Sequence, residues 1–357
     1  MNKHAVIVCN AGIDCLSVVD LDTYHIKHIS LDYNNDHIGP HSISFYKDKI
    51  ISVNSFSNDL SIIDIKNYKY IKSIKVGPHP NDMAIINDDA YVLCGDSNSL
   101  NIIDLNTGLV KYVISLEEYP HNICISENKE YAYICNLYGD SITIIDCNKK
   151  KIIKRIRGFN KPTKVIISND KQKLYICESN LGISGKGKII QLDRDKLSYM
   201  KEINLGTTPI DLYQDEEYLY VSNFVEGSIS IIDVNLFREI DRIKVEGMPK
   251  GIIKNKEFII VSDYYNGLLK IINSNNLEIK NIAIGKEPDA MLLINYWSSF
   301  SNKVTISLYK LEEFSCHLWQ RLTACFLVGT ETFKFSNKSF PSVAVNSTIK
   351  LSSFSGK

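Results

Sequence analysis

The sequence lacks the features that define several large classes of protein. It has no run of about 18 apolar residues, so we expect no transmembrane helix. Its first apolar stretch, residues 5–9, is too short for the core of a signal peptide, and a cytoplasmic location is the default expectation. Lysine plus arginine equal aspartate plus glutamate at 41 each, without the basic excess that is normal for duplex-binding proteins. We therefore expect neither a membrane nor a nucleic-acid partner.

Proline is also scarce, and its positions are regular. Seven of the nine prolines are separated by successive gaps of 40, 40, 42, 47, 40 and 39 residues, which is the signature of an internal repeat. We call them the phased prolines: Pro40, Pro80, Pro120, Pro162, Pro209, Pro249 and Pro288.

Two other residue classes share this period. An acidic residue ends one run in six repeats, and Asn273 takes the seventh place; the six are Asp20, Asp64, Asp104, Asp146, Asp193 and Asp233. A second apolar run ends in Asn or Asp in five repeats, while Gly95 and Glu178 fill the other two places; the five are Asn10, Asn54, Asn136, Asn223 and Asp263. Three independent patterns with one period predict about seven copies of one unit.

Each unit contains four short β-rich runs. In the unit that begins at Pro209 they are residues 210–213, 218–222, 228–232 and 239–245. Four strands of about five residues with their connections fill roughly 40 residues, and no ten-residue stretch has a helical period, so helical solenoids are disfavoured. Four-stranded units of this length predict an all-β fold, a seven-bladed β-propeller.

The chain ends predict how the ring closes. Before Pro40 there are three strand-like runs, at residues 5–9, 15–19 and 25–31, and after Pro288 there is one, at 289–295. We predict that these N-terminal strands and the late strand form the seventh blade, so that residues 1–295 are the propeller. Residues 296–357 have a different composition, and we expect a C-terminal extension that is poorly ordered or weakly packed, with 318–329 its best helical candidate.

The repeat resembles the YVTN β-propeller repeat of surface-layer-like proteins. LYVSN at 219–223 and GKEP at 285–288 carry the resemblance, which extends over residues 4–295. The resemblance implies the fold and does not choose a function, because relatives include cell-surface proteins and, more distantly, lactonase-like and lyase-like enzymes, and one fold hosts many activities.

The most plausible ligand site is the mouth of the central channel, where each phased proline leads into the innermost strand. We predict that the residues just after the prolines project there and bind a ligand; with Asn81 and Asn122 beside them, they are His41, Asp82, His121, Lys164, Asp211, Lys250 and Asp289. The competing interpretation is that propeller channels are generally wet and polar. His41 and His121 suit a metal or acid–base chemistry by residue type, but no catalytic set is recognisable, and we predict no catalytic residue, metal or cofactor.

Other suggestive residues receive structural interpretations. Cys9, Cys94, Cys135 and Cys177 occupy one repeat position, and we interpret them as buried thiols. The six phased aspartates are interpreted as caps of their own turns. The inserted glycine-rich loop at 182–187 precedes a strand rather than a helix, so it is a possible contact loop and not a phosphate cradle.

From these observations we expect a monomeric, non-catalytic binding or scaffold propeller that presents its loops and channel mouth to a protein or a small polar ligand. The alternative is a lactonase-like hydrolase or a lyase acting at the channel mouth. A third interpretation is a cell-surface or spore-associated structural protein.

Overall fold

The computed structural model describes residues 2–31, 37–182, 185–297 and 306–308, and within them it contains seven β-sheets arranged as propeller blades. Three strands come from the N-terminal segment: β1 (Asn2–Asn10), β2 (Cys15–Asp20) and β3 (Ile26–Ser30), with a single 3-10 turn at Ala11–Ile13. Among the described residues no helix is long and apolar enough to cross a membrane.

Six blades follow, each a set of four consecutive antiparallel strands, and we number them 1 to 6 in chain order. Blades 1 to 3 consist of β4 (Pro40–Tyr46), β5 (Lys49–Asn54), β6 (Asp59–Asp64) and β7 (Lys69–Lys75); β8 (Pro80–Ile86), β9 (Asp89–Cys94), β10 (Ser99–Asp104) and β11 (Val110–Ser115); and β12 (Pro120–Ile125), β13 (Tyr131–Asn136), β14 (Ser141–Asp146) and β15 (Lys151–Arg157).

Blades 4 to 6 repeat the pattern. They consist of β16 (Pro162–Ile167), β17 (Lys173–Glu178), β18 (Lys188–Asp193) and β19 (Ser198–Asn204); β20 (Pro209–Gln214), β21 (Tyr218–Asn223), β22 (Ser228–Asp233) and β23 (Arg238–Lys244); and β24 (Pro249–Asn255), β25 (Phe258–Asp263), β26 (Leu268–Asn273) and β27 (Ile279–Ala283). Every phased proline is the first residue of an innermost strand, where its missing N–H is tolerated.

Blade 7 is built from both ends of the described chain, as predicted. The late strand β28 (Pro288–Trp297) pairs antiparallel with β1, from Val6 opposite Leu293 to Asn10 opposite Pro288, and β2 and β3 complete the sheet. A short further strand, β29 (Ile306–Leu308), pairs with the end of β28. The rest of the predicted C-terminal extension, including 318–329, lies outside the described residues.

Burial follows strand position within a blade. The second and third strands are buried almost throughout, because a neighbouring blade covers each of their faces, whereas the fourth strands are largely exposed. The fourth strands of blades 1 to 5 also contain a β-bulge, a feature that discourages edge-to-edge pairing with other chains.

The phased polar residues close turns and tie strands. Each phased aspartate accepts a hydrogen bond from one or two backbone amides just after it, as Asp64 does from Lys66 and Asn67, so the interpretation as turn caps is confirmed. The phased asparagines were not assigned a role from the sequence. Asn54 Nδ2 donates to Ser61 Oγ on the next strand at 2.8 Å, and the same bond occurs in three other blades.

The hydrophobic core is divided into clusters that lie between neighbouring blades. One cluster joins Val53 of blade 1 to Val92 and Cys94 of blade 2, and six similar clusters involve the other blades. Cys9, Cys94, Cys135 and Cys177 are all buried and unpaired, which confirms that they are packing residues. The prediction that they share one repeat position is wrong for Cys94, which ends β9 opposite Ser99 as Asn54 ends β5 opposite Asp59, so Cys94 and not Gly95 takes the place of the phased Asn. Burial raises the pKa of the Cys94 thiol to about 12, so it is not a reactive thiolate at neutral pH.

Candidate functional site

The channel mouth is formed where each blade turns into its innermost strand. An upper loop leads from the outermost strand of each blade to the phased proline of the next. In six blades the residue immediately before that proline has a positive φ, which turns the chain into the innermost strand; these residues are Gly39, His79, Tyr119, Lys161, Thr208 and Glu287. Five of the six are not glycine, and left-handed backbone at such residues is unfavourable unless the surroundings hold it. The ring of blades therefore holds the mouth in a locally strained conformation.

The residues after the phased prolines bond from blade to blade, and we call this ring the polar belt. On the side of blades 1 to 4 the bonds involve histidines, an asparagine, backbone carbonyl groups and one carboxylate, that of Asp82. His41 Nδ1 donates to Asn81 O at 2.8 Å, and Asn122 Nδ2 donates to Asp82 Oδ2 at 2.7 Å. His121 Nδ1 donates to Thr163 O at 2.9 Å, and this bond links blade 3 to blade 4.

On the side of blades 4 to 7 the belt is ionic. Lys164 Nζ lies 3.0 Å from Asp211 Oδ1, and the other oxygen of Asp211 accepts the backbone N–H of Ile252 at 3.1 Å. Lys250 forms an ion pair with Asp289. Asp289 Oδ2 also lies 3.3 Å from His41 Nε2, and this contact closes the belt between blade 7 and blade 1.

Burial lowers the pKa of both histidines. Burial, with a smaller contribution from His41, lowers the pKa of His121 to about 4. Burial also lowers the pKa of His41, although Asp289 opposes that shift. Burial alone would raise the pKa of Asp289, but the neighbouring His41 and Lys250 outweigh it, and the net shift is downward. At neutral pH the belt thus presents neutral imidazole at His121 between carboxylates and ammonium groups.

A recess of about 290 Å³ opens at the mouth above the belt. His41, His121 and Lys250 contribute to it from the belt, and Asn81 lies beside them. The remaining lining is apolar or aromatic. Ile210 contributes from β20, and the others come from loops and turns between strands: Tyr119, Leu137, Tyr138, Leu181, Phe224 and Tyr264.

The aromatic rings of the recess form two contacting pairs. Tyr119 and Tyr138 have ring centroids 4.9 Å apart, and Phe224 and Tyr264 have centroids 5.8 Å apart. Lys250 Nζ lies 5.0 Å from the centroid of the Tyr264 ring, within the range of a cation–π contact. A ligand here would meet flat apolar surfaces on its sides and polar groups below.

No family model and no curated protein matches the sequence. Solved structures with a similar fold include a putative 6-phosphogluconolactonase from Bacteroides fragilis, with a TM-score of 0.66, 13% identity and coverage of 81% of this chain and 98% of that one. A Kuenenia stuttgartiensis hydrazine synthase chain has a TM-score of 0.63 at 16% identity, covering 80% and 100%. Citrobacter koseri AztD has a TM-score of 0.58 at 11% identity, covering 84% and 100%. At these identities the likeness shows the propeller fold alone.

All seven predicted ligand-binding residues lie in the polar belt, but they do not have equal access to the recess. His41, His121 and Lys250 line it. Asp82, Lys164, Asp211 and Asp289 are not among its lining residues, and their charged atoms bond to other belt groups. His121 is the most available of the three, because its Nε2 has a lone pair and no hydrogen-bond partner within the described part of the chain.

The aromatic walls were not predicted from the sequence. A weak signal exists, because Tyr138, Phe224 and Tyr264 follow the phased Asn or Asp by one or two residues, and Tyr119 precedes a phased proline. Within the described ranges no cluster of three or more His, Cys, Asp or Glu residues has the geometry of a metal site.

Proposed function

We propose that this chain is a non-catalytic binding propeller whose channel-mouth recess takes a small polar ligand that has a flat apolar face. The observation that supports this most directly is the combination of two aromatic pairs with the neutral His121 acceptor in one recess of about 290 Å³. Ligand sites are typically concave, largely apolar, and oriented by a few polar groups. Hydroxyl or amide donors suit the Nε2 lone pair of His121.

The test is a panel of monosaccharides, free amino acids and small carboxylates, screened by thermal stabilisation of the full chain and confirmed by calorimetry. We expect at least one class to bind, and Tyr138→Ala with Phe224→Ala to weaken its binding at least tenfold through loss of the apolar walls. Tyr138 is 45% exposed, so its removal has little effect on folding. Tyr199→Ala on β19, where the side chain is 59% exposed, is the matched control and retains binding.

The role of His121 is tested separately. His121→Gln retains an acceptor and a donor, whereas His121→Phe removes both, so the ligand binds the first variant better than the second. If no class in the panel binds, or if the hits bind every recess variant as tightly as the native chain, the proposal fails.

The lactonase-like alternative predicts turnover of a lactone panel, with or without divalent metal, that His121→Gln abolishes. Of the fold neighbours named above, the putative phosphogluconolactonase favours it by its name. A pKa of about 4 makes His121 a weak base at neutral pH, which favours binding over hydrolysis. Membership of the YVTN repeat family and cytoplasmic action are part of the proposal. Cell fractionation tests the location and distinguishes cytoplasmic action from a surface-associated structural role.

A further inference from the structure

The outer circumference of the ring is not uniform. The outermost strands of blades 1, 2 and 3 contain three, one and four Lys or Arg residues, respectively, and no Asp or Glu. The outermost strands of blades 4 and 5 include three carboxylates, Glu202, Glu239 and Asp241. We call the surface of β7, β11 and β15 the basic sector. It stands out because the whole chain has equal numbers of acidic and basic residues.

The centre of the basic sector is apolar and exposed. On β11 and the residue before it, Leu109 is 67% exposed, Val110 47%, Tyr112 52% and Val113 62%. The outermost strand of blade 4 exposes two large apolar side chains, those of blades 1, 3, 5 and 6 expose one each, and that of blade 7 exposes none. Contiguous exposed apolar residues framed by polar ones are typical of interaction sites.

The three strands form one continuous surface. The turn before β11 packs on blade 1, since a Cβ at Gly108 would lie 3.7 Å from Ile74 of β7. On the other side, Glu117, two residues after β11, forms ion pairs with Arg155 and Arg157 of β15. The apolar strand is therefore bordered by the cations of both neighbours.

Several of these cations are not neutralised. Lys111 is paired with Asp89 and Asp104, and Lys75 is paired with Asp59. Four lysines have no carboxylate in ion-pair contact among the described residues, and all are exposed: Lys69, Lys72, Lys151 and Lys154. They lie in two pairs, one on each side of β11.

We propose that the basic sector binds an acidic protein segment that has an apolar centre. The apolar residues of the segment cover Tyr112 and Val113, and its carboxylates face the lysines of β7 and β15. Charge complementarity favours this occupant over a second copy of the chain, because two basic sectors placed together would repel. It also favours a protein over a nucleic acid, because phosphates have no cationic track across an apolar central strand.

The probe is a fluorescein-labelled peptide with a central run of valine and tyrosine between glutamate-rich ends, titrated with the full chain by fluorescence anisotropy. A peptide with the same centre and lysine-rich ends is its control. We expect the acidic peptide to bind at least tenfold more tightly than the lysine-ended one, and its binding to weaken with salt.

Two variants separate charge from apolar contact. Lys72→Glu with Lys154→Glu weakens binding of the acidic peptide at least tenfold. As the control, Lys201→Glu with Lys244→Glu makes the same charge change on β19 and β23 and alters peptide binding less than twofold. Tyr112→Ser with Val113→Ser weakens binding of the acidic peptide at least fivefold. Tyr199→Ser on β19 is the matched control and leaves that binding unchanged. The recess variant Tyr138→Ala leaves peptide binding unchanged.

Other results overturn the proposal. Equal binding of the two peptides excludes charge complementarity. A labelled oligothymidine that binds as tightly as the acidic peptide, with no effect of Tyr112→Ser and Val113→Ser, identifies a general polyanion surface. If sedimentation shows a dimer of the native chain that these two substitutions dissociate, the occupant is a second copy.

Discussion

Blades 5 and 6 are neighbours with the same topology, and they connect their second and third strands with different chemistry. In blade 5, Asn223 Nδ2 donates to Ser228 Oγ at 3.0 Å and to Ser230 Oγ at 2.8 Å. In blade 6 the positions of Asn223 and Ser230 hold Asp263 and Lys270, whose charged groups lie 3.0 Å apart. Both pairs are buried, so one position in the fold accepts either an uncharged hydrogen bond or an ion pair.

The ion pair is tolerated because its surroundings satisfy it. Asp263 accepts hydrogen bonds from Met248 N at 2.9 Å and Asn266 Nδ2 at 2.8 Å. The Lys270 ammonium donates to the carbonyl oxygens of Val245 and Glu246. A buried charge is costly unless it is paired and hydrogen-bonded. In blade 6 the loop before Pro249 and Asn266 of the turn after β25 supply the extra partners. The comparison teaches that this pair of positions accepts either chemistry, and blade 4, with Glu178 and Ile190 at the same places, shows that the fold does not demand two polar partners in every blade.

The largest effect is expected from breaking the ion pair on one side. Lys270→Met leaves the Asp263 carboxylate buried without its cation, which destabilises the protein by about 3–5 kcal/mol. Urea unfolding of the full chain, monitored by far-UV circular dichroism, measures this loss of stability. A loss no larger than that of Ser230→Ala in blade 5 would contradict the comparison.

A transplant of the blade 5 chemistry is expected to recover part of that loss. Asp263→Asn with Lys270→Ser removes both charges and rebuilds the pair seen at Asn223 and Ser230. The double variant should be more stable than Lys270→Met by about 2 kcal/mol, within the range of coupling energies for contacting residues. The full cycle of Asp263→Asn, Lys270→Ser and the double variant gives the coupling directly, and additive single effects would contradict it.

Lowering the pH is expected to reduce the stability that the ion pair of blade 6 contributes. Burial acts to raise the pKa of Asp263, but hydrogen bonds from Asn266 and Met248 and the charge of Lys270 outweigh it, so the net shift is downward. A depressed folded-state pKa means that this stabilisation is fully present above the unfolded value of about 3.9 and is lost as pH falls toward the folded value. From pH 5 to pH 3 the native chain should lose more stability than the uncharged double variant, with at most about 1.4 kcal/mol per pH unit from this one proton.

The smallest effect is expected in blade 5. Asn223→Ala removes two hydrogen bonds from the amide nitrogen, but the Asn223 Oδ1 atom is already buried without a partner among the described residues. Loss of the bonds is therefore partly offset by removal of an unsatisfied acceptor, and we expect a loss of about 1 kcal/mol. A loss as large as that of Lys270→Met, measured by the same unfolding experiment, would mean that the two blades depend equally on their pairs.

The sequence predicted the periodic parts of this architecture better than its contacts. Pro209 and Asn223 mark the start of one strand and the end of the next because backbone geometry limits which residues occupy those places. The bond from Asn223 to Ser230 was not predictable, because the partner position holds Ser, Thr, Asn, Lys or Ile in different blades. The recess walls were missed for a related reason. Phe224 and Tyr264 follow equivalent strands of blades 5 and 6 and meet only because these blades lie side by side around a ring, and a repeat period does not specify that separation.

The closure of blade 7 has a consequence for synthesis. Strand β1 leaves the ribosome before blades 1 to 6, yet its partner β28 is made only after them. At roughly 5–20 residues per second, the first strands wait tens of seconds with one edge unpaired. A chain that stops before Pro288 therefore carries all six internal blades and still cannot complete its ring.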